Sequence, residues 1–143
     1  MQAKNEMEAI KALNEKIAGI VESGSNDNGS WVKFADGTMI QWGSKSFVGA
    51  SDSTGSYTRI TFPQFFANNK FVVNYAQLYD SSSVSQNLKL YIILTGTNKY
   101  GSGTAFGGDT VYRRLAHTTD ATELAELYAT DLSFNWQAVG FWK

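Results

Sequence analysis

Two hydrophobic periods run along the chain and change over near residue 30. In residues 1–22 the apolar side chains step 3-4-3 through Ile10, Leu13, Ile17 and Ile20, with Ala3 seven residues before Ile10. With Ala3, Ile10 and Ile17 at heptad position a, Leu13 and Ile20 fall at d, and Glu6 interrupts the first d. So narrow a stripe is a coiled-coil seam, whereas a helix lying on a core carries a broader one. β-branched Ile at both a and d favours three or four strands over two. The same stretch holds Lys4, Glu6, Glu8, Lys11, Glu15, Lys16 and Glu22 and no aromatic or Pro, which is helix composition. Fewer than three heptads hold no oligomer alone. Residues 1–23 therefore read as the end of a helical stalk that begins further upstream, or as a helper to a self-associating head. The alternative is one amphipathic helix resting on the domain. Ser23-Gly24-Ser25-Asn26-Asp27-Asn28-Gly29 stops the helix and predicts a linker over 24–30.

From Trp31 the period is two. Trp31–Phe34 and Thr38–Trp42 flank Asp36-Gly37, a hairpin signal. Gly43–Ser56 reads as a Gly/Ser loop. Tyr57–Phe62 alternates, and Pro63 ends it or marks a sheet edge. Further strands are predicted at Phe71–Tyr79, Leu88–Leu94, Val111–Ala116 and Ser133–Trp142. Asp120, with Glu123 three residues on, is a capping-box pattern that predicts a short helix or ordered insertion. The pattern as a whole predicts a mainly β protein, an antiparallel β-sandwich over 31–143.

Three stretches line up with a known pattern. They are Asn28-Gly29-Ser30-Trp31-Val32-Lys33-Phe34-Ala35-Asp36-Gly37-Thr38-Met39-Ile40-Gln41-Trp42-Gly43, then Ile60-Thr61-Phe62-Pro63-Gln64-Phe65-Phe66, then Phe134-Asn135-Trp136-Gln137-Ala138-Val139-Gly140-Phe141-Trp142-Lys143. In order and spacing they resemble the C-terminal head domains of bacteriophage tail fibres and the fibres of phage-tail-like bacteriocins. The resemblance covers about residues 23–143, and Tyr79 to Asp131 match no pattern. It implies a homotrimer at a fibre tip on the virion, outside the cell. It implies a lectin-like β-sandwich head behind a coiled-coil stalk, joined to upstream fibre or baseplate components. It also implies binding to a bacterial surface glycan or outer-membrane receptor.

Composition narrows the chemistry. With no Cys there is no thiolate metal site, and one His makes a His-rich zinc site or a Ser-His triad a poor reading. A net charge of −1 gives no electrostatic footprint for nucleic acid. No apolar run approaches the ~18 residues needed to cross a bilayer, so no membrane insertion is expected. No cofactor or metal is expected, nor is catalysis. Asp80, Asp109, Asp120, Glu123, Glu126 and Asp131 offer carboxylates, but no spacing singles out a glycosidase pair. A glycan-degrading tail enzyme and a structural fibre connector remain as alternatives.

The quoted motifs read as scaffold. Trp31, Trp42, Trp136 and Trp142, with the seam residues Ile10, Leu13, Ile17 and Ile20, are expected to hold the fold and the trimer. Large residues at both parities of the last strand predict burial on both faces, one against a partner subunit. A ligand is then expected at polar aromatics and charges outside the motifs: Tyr79, Asp80, Tyr100, Asp109, Tyr112, Arg113, Arg114 and His117. A sugar site needs an aromatic face plus planar groups that bond hydroxyls in pairs. Arg113 and Arg114 face opposite ways on a strand, so one of them serves a given site. Salt bridges to Asp109, Asp120 or Glu123 are the competing reading for these arginines.

Overall fold

Alternating residues build two antiparallel sheets around a shared core, with a smaller apolar cluster of Leu115 and Leu127 under the helix Ala121–Ala129. The computed structural model describes residues 2–17, 19–77, 92–102, 105–116 and 120–143. Helix α1 (Gln2–Ile17) is followed by β1 (Ile20–Asn26), β2 (Gly29–Phe34), β3 (Thr38–Phe47), β4 (Tyr57–Phe66), β5 (Val72–Gln77), β6 (Ile92–Ser102), β7 (Ala105–Leu115), α2 (Ala121–Ala129) and β8 (Leu132–Phe141). The first sheet has the order β1-β2-β3-β8-β5 and the second β4-β7-β6. Inward positions of both supply the core: Met39, Phe47, Ile60, Phe62, Phe66, Phe71, Val111, Phe134, Trp136 and Ala138. Phe66 stacks on Phe71 at 4.8 Å, and Phe62 meets both rings edge-on at 5.2 Å. Such pairs add about 0.5–1.5 kcal/mol each beyond the area they bury.

Several elements form as their sequence predicts. Asp36-Gly37 turns β2 into β3, Gly37 at φ +98°, and Asp36 accepts from the Thr38 amide at 2.9 Å. Asp120 caps α2, accepting from the amides of Thr122 and Glu123 at 2.9 and 3.1 Å. Pro63 sits on β4, an edge strand, where pairing with β7 shifts between Thr61 and Phe66.

Other expectations are corrected. Helix α1 ends at Ile17, and Ile20, expected at a seam d position, is the first residue of β1. Gly19 at φ +67° carries the chain out of the helix four residues earlier than Ser23 would. Residues 24–30 are no linker: β1 pairs with β2 from Ile20↔Phe34 to Asn26↔Gly29, with Asp27-Asn28 as the turn. Strand β3 runs through the expected Gly/Ser loop to Phe47 because its serines bond across to β8. Ser44 donates to Asn135 Oδ1 at 2.7 Å, and Ser46 and Ser133 hydroxyls are 2.9 Å apart. Strand β6 carries on past Leu94 to Ser102.

Helix α1 stands off the sheets. Every side chain from Lys4 to Leu13 is exposed, including Met7, Ile10 and Leu13 of the apolar stripe.

Candidate functional site

Side chains alternate between the faces of a strand, and cross-strand partners share a face. Inward Ile60, Val111 and Leu115 therefore leave the opposite set of β4 and β7 on the outside of the second sheet. Tyr57 pairs with Tyr112, Arg59 with Thr110, and Thr61 with Gly108; from β6, Ile93 pairs with Arg114, Thr95 with Tyr112, and Tyr100 with Gly108. One sheet face thus carries Tyr57, Arg59, Tyr100, Tyr112 and Arg114. The Tyr57 and Tyr112 rings lie 5.7 Å apart, tilted by 41°. The Arg59 guanidinium sits 5.6 Å from the Tyr100 ring centre. The Tyr100 hydroxyl donates to Ile60 O at 2.6 Å and is 3.0 Å from Thr61 Oγ1. That holds the hydroxyl end of the ring over Gly108, where any side chain would collide with it. Among the described residues neither Arg59 nor Arg114 makes an ion pair. An aromatic surface with two guanidiniums outside any ion pair suits the apolar side of a sugar ring and an acidic or phosphorylated substituent.

The candidates from sequence divide accordingly. Tyr112 and Arg114 are exposed on this face. Tyr100 joins them from within β6, although its neighbours Gly101-Ser102-Gly103 predict a loop. Asp109 and Arg113, expected on the ligand surface, point inward and are 3% and 2% exposed. Asp109 accepts from the Tyr75 hydroxyl at 2.6 Å, a bond that ties β7 of one sheet to β5 of the other. Burial and this carboxylate raise the Tyr75 phenol well above its usual range. Gly96 leaves the room: a Cβ there would run into both oxygens. Arg113 donates from Nε to Gly55 O at 2.8 Å and from Nη2 to Tyr128 O at 3.2 Å, its guanidinium 4.8 Å from the Phe47 ring centre. Burial lowers its pKa to about 10, with Asp131 opposing. Arg113 thus pins the Ser53–Ser56 turn and α2 to the core. Its bonds go to backbone carbonyls rather than to Asp109, Asp120 or Glu123. Tyr79, Asp80 and His117 lie outside the described residues.

Tyr57 and Arg59 were not singled out in sequence. Their parity in Tyr57–Phe62, opposite to Ile60 and Phe62, marks them as outward. What the sequence lacks is that β4 lies beside β7.

The scaffold tryptophans also divide. Trp136 is buried against Phe62, and Trp142 donates from Nε1 to Phe34 O at 2.8 Å. Trp31 packs on the core rim and donates to Glu22 Oε1 at 3.3 Å. Trp42 faces outward from the first sheet and is 42% exposed. That outer face carries an apolar row, Val32–Ile40–Val139–Val72, joined strand to strand by cross-strand pairs, with Trp42 and Phe141 beside it. Val139 and Phe141, expected to be buried, are exposed in the single chain.

Among the described residues no cluster of three or more His, Cys, Asp or Glu side chains forms a metal site, and no helix is long and apolar enough to cross a membrane. Comparison of the chain with family models, curated proteins and solved structures finds no match.

Proposed function

We propose that the protein is a non-enzymatic receptor-binding head of a phage or tailocin tail fibre. It works as a homotrimer and attaches to an acidic or phosphorylated glycan of the bacterial surface. The observation that carries this reading is the outer face of β4-β7-β6, where Tyr57, Tyr100 and Tyr112 alternate with Arg59 and Arg114. The three sequence motifs that resemble tail fibre heads support the setting. Two apolar surfaces support the trimer: the exposed stripe of α1 and the Val32–Ile40–Val139–Val72 row. Weak contacts at one head gain strength when three heads per fibre, and several fibres per particle, engage together.

The test is adsorption to susceptible cells by the purified protein and by the Tyr112→Ala, Arg114→Ala double variant. The double variant is expected to keep its circular dichroism spectrum and oligomeric state and to lose cell binding. If it adsorbs like the unaltered protein, the face is not the receptor site. Release of soluble sugar from capsule or lipopolysaccharide would instead establish the degrading enzyme.

A further inference from the structure

Beyond the free edge of β4, at the Thr61 end of the tyrosine–arginine face, lies a polar cavity of about 70 Å³ lined by Asp27, Asn28, Ser44, Lys45, Thr61 and Trp136. It opens where the β1–β2 turn meets β3 and β4, and none of the ligand candidates read from sequence lines it.

One lining residue carries a donor with no protein partner among the described residues. Trp136 is only 3% exposed, yet its indole N–H has no acceptor among the described residues. An indole nitrogen donates and cannot accept, and buried donors normally find a partner. The fully enclosed polar atoms without one are Thr110 Oγ1 and Arg113 Nη1; the Trp136 nitrogen is not among them and keeps access to the cavity. Two glycines maintain that access. A Cβ on Gly43 would stand 2.9 Å from the Trp136 Nε1 and Cζ2, and one on Gly29 would stand 3.3 Å from Cζ2.

The walls offer both signs and both hydrogen-bond roles. Asp27 supplies a carboxylate and Lys45 an ammonium, and among the described residues neither has an ion-pair partner. The Ser44 hydroxyl already donates to Asn135, which leaves its oxygen able to accept. Thr61 shares its hydroxyl with Tyr100 of the neighbouring face. One charge of each sign disfavours a bare anion and a bare cation alike. Hydroxyl pairs, each able to donate and accept, match the set. Sites for whole drug-sized ligands run to roughly 300–1,000 Å³, so this cavity takes one edge of a ring.

We propose that this cavity is a subsite for the hydroxyl-bearing edge of a neutral sugar, with the Trp136 N–H as the central donor. The inference rests on the glycan-binding reading for its meaning. It extends the site along β4: Tyr57 to Thr61 spans about 13 Å at ~3.3 Å per residue, so one saccharide chain runs from the aromatic face into the cavity.

The test is a titration of ¹⁵N-labelled protein with methyl glucoside, N-acetylglucosamine, glucuronate and inorganic phosphate, read at the Trp136 indole N–H resonance. A neutral sugar is expected to shift it saturably, with Kd on the order of 1–10 mM, while the Trp31 and Trp42 indoles stay put. Asp27→Ala and Lys45→Ala, both on the surface, are each expected to weaken that shift at least threefold. No saturable shift with either neutral sugar, a response to glucuronate or phosphate alone, or unchanged binding by both variants overturns the subsite. A Trp136 shift that persists in the Tyr112→Ala, Arg114→Ala variant upholds it. This holds even where that variant still adsorbs to cells and the aromatic-face reading falls.

Discussion

Arg113 and Arg114 are neighbours with opposite duties, and one strand's alternation separates them. Arg113 is inside, held by two carbonyls and a phenylalanine ring. Truncation to Ala would leave the carbonyls of Gly55 and Tyr128 without their donor and open a void over Phe47. Arg113→Ala is expected to cost about 2–4 kcal/mol of stability, read by chemical denaturation. Arg114→Ala is expected to change stability by less than about 0.5 kcal/mol, as surface substitutions do. Tyr75 makes a pH prediction. Its phenol titrates higher in the folded state than the ordinary value of 10. Stability from this group is whole below about pH 10 and falls as pH rises past it, because only the unfolded chain then releases the proton. Tyr75→Phe is expected to flatten that alkaline fall in a denaturation series. Of this the sequence showed the opposition of Arg113 and Arg114. It did not show which was buried, since the carbonyls that hold Arg113 belong to Gly55 and Tyr128, in a turn and a helix that only the folded chain brings to β7.

Elements were legible where a local signal sets them. Asp36-Gly37 and the Asp120 cap need no distant partner to form. Strand β1 was hidden because Ile20-Val21-Glu22 continues the helical pattern, and Gly19 is the only local sign of a stop. Strands β3 and β6 extend through Gly, Lys and Asn, whose poor propensity is overridden by pairing with β8 and β7. Helix α1 raises a question of its own. Its 16 residues are near the length at which an isolated helix is marginal, and Met7, Ile10 and Leu13 of its apolar stripe are exposed. Burying Ile10 or Leu13 in a seam would contribute about 1.5–3 kcal/mol per side chain. Ile10→Asp with Leu13→Asp is therefore expected to lower helicity near 222 nm and to weaken oligomers at low micromolar concentration, as seen by sedimentation, with the two sheets still folded.

At the scale of the whole molecule, the two sheets present different outsides. One is aromatic and cationic, the other an apolar row that includes Val72 at 64% exposure. Such a row in water favours self-association. Val139→Glu is expected to shift the protein toward monomer in light scattering while its denaturation midpoint moves little. A monomer at micromolar concentration in the unaltered protein would remove the trimer from the proposal. The order β1-β2-β3-β8-β5 has a further consequence, for truncation. Among the described residues, strand β8 follows the other strands in chain order, yet it fills the place between β3 and β5, bringing Phe134, Trp136 and Ala138 to the core. Neither neighbour can complete its ladder without residues 132–141. A chain cut before Leu132 would lack Phe134, Trp136 and Ala138 of the core and the strand that joins β3 to β5.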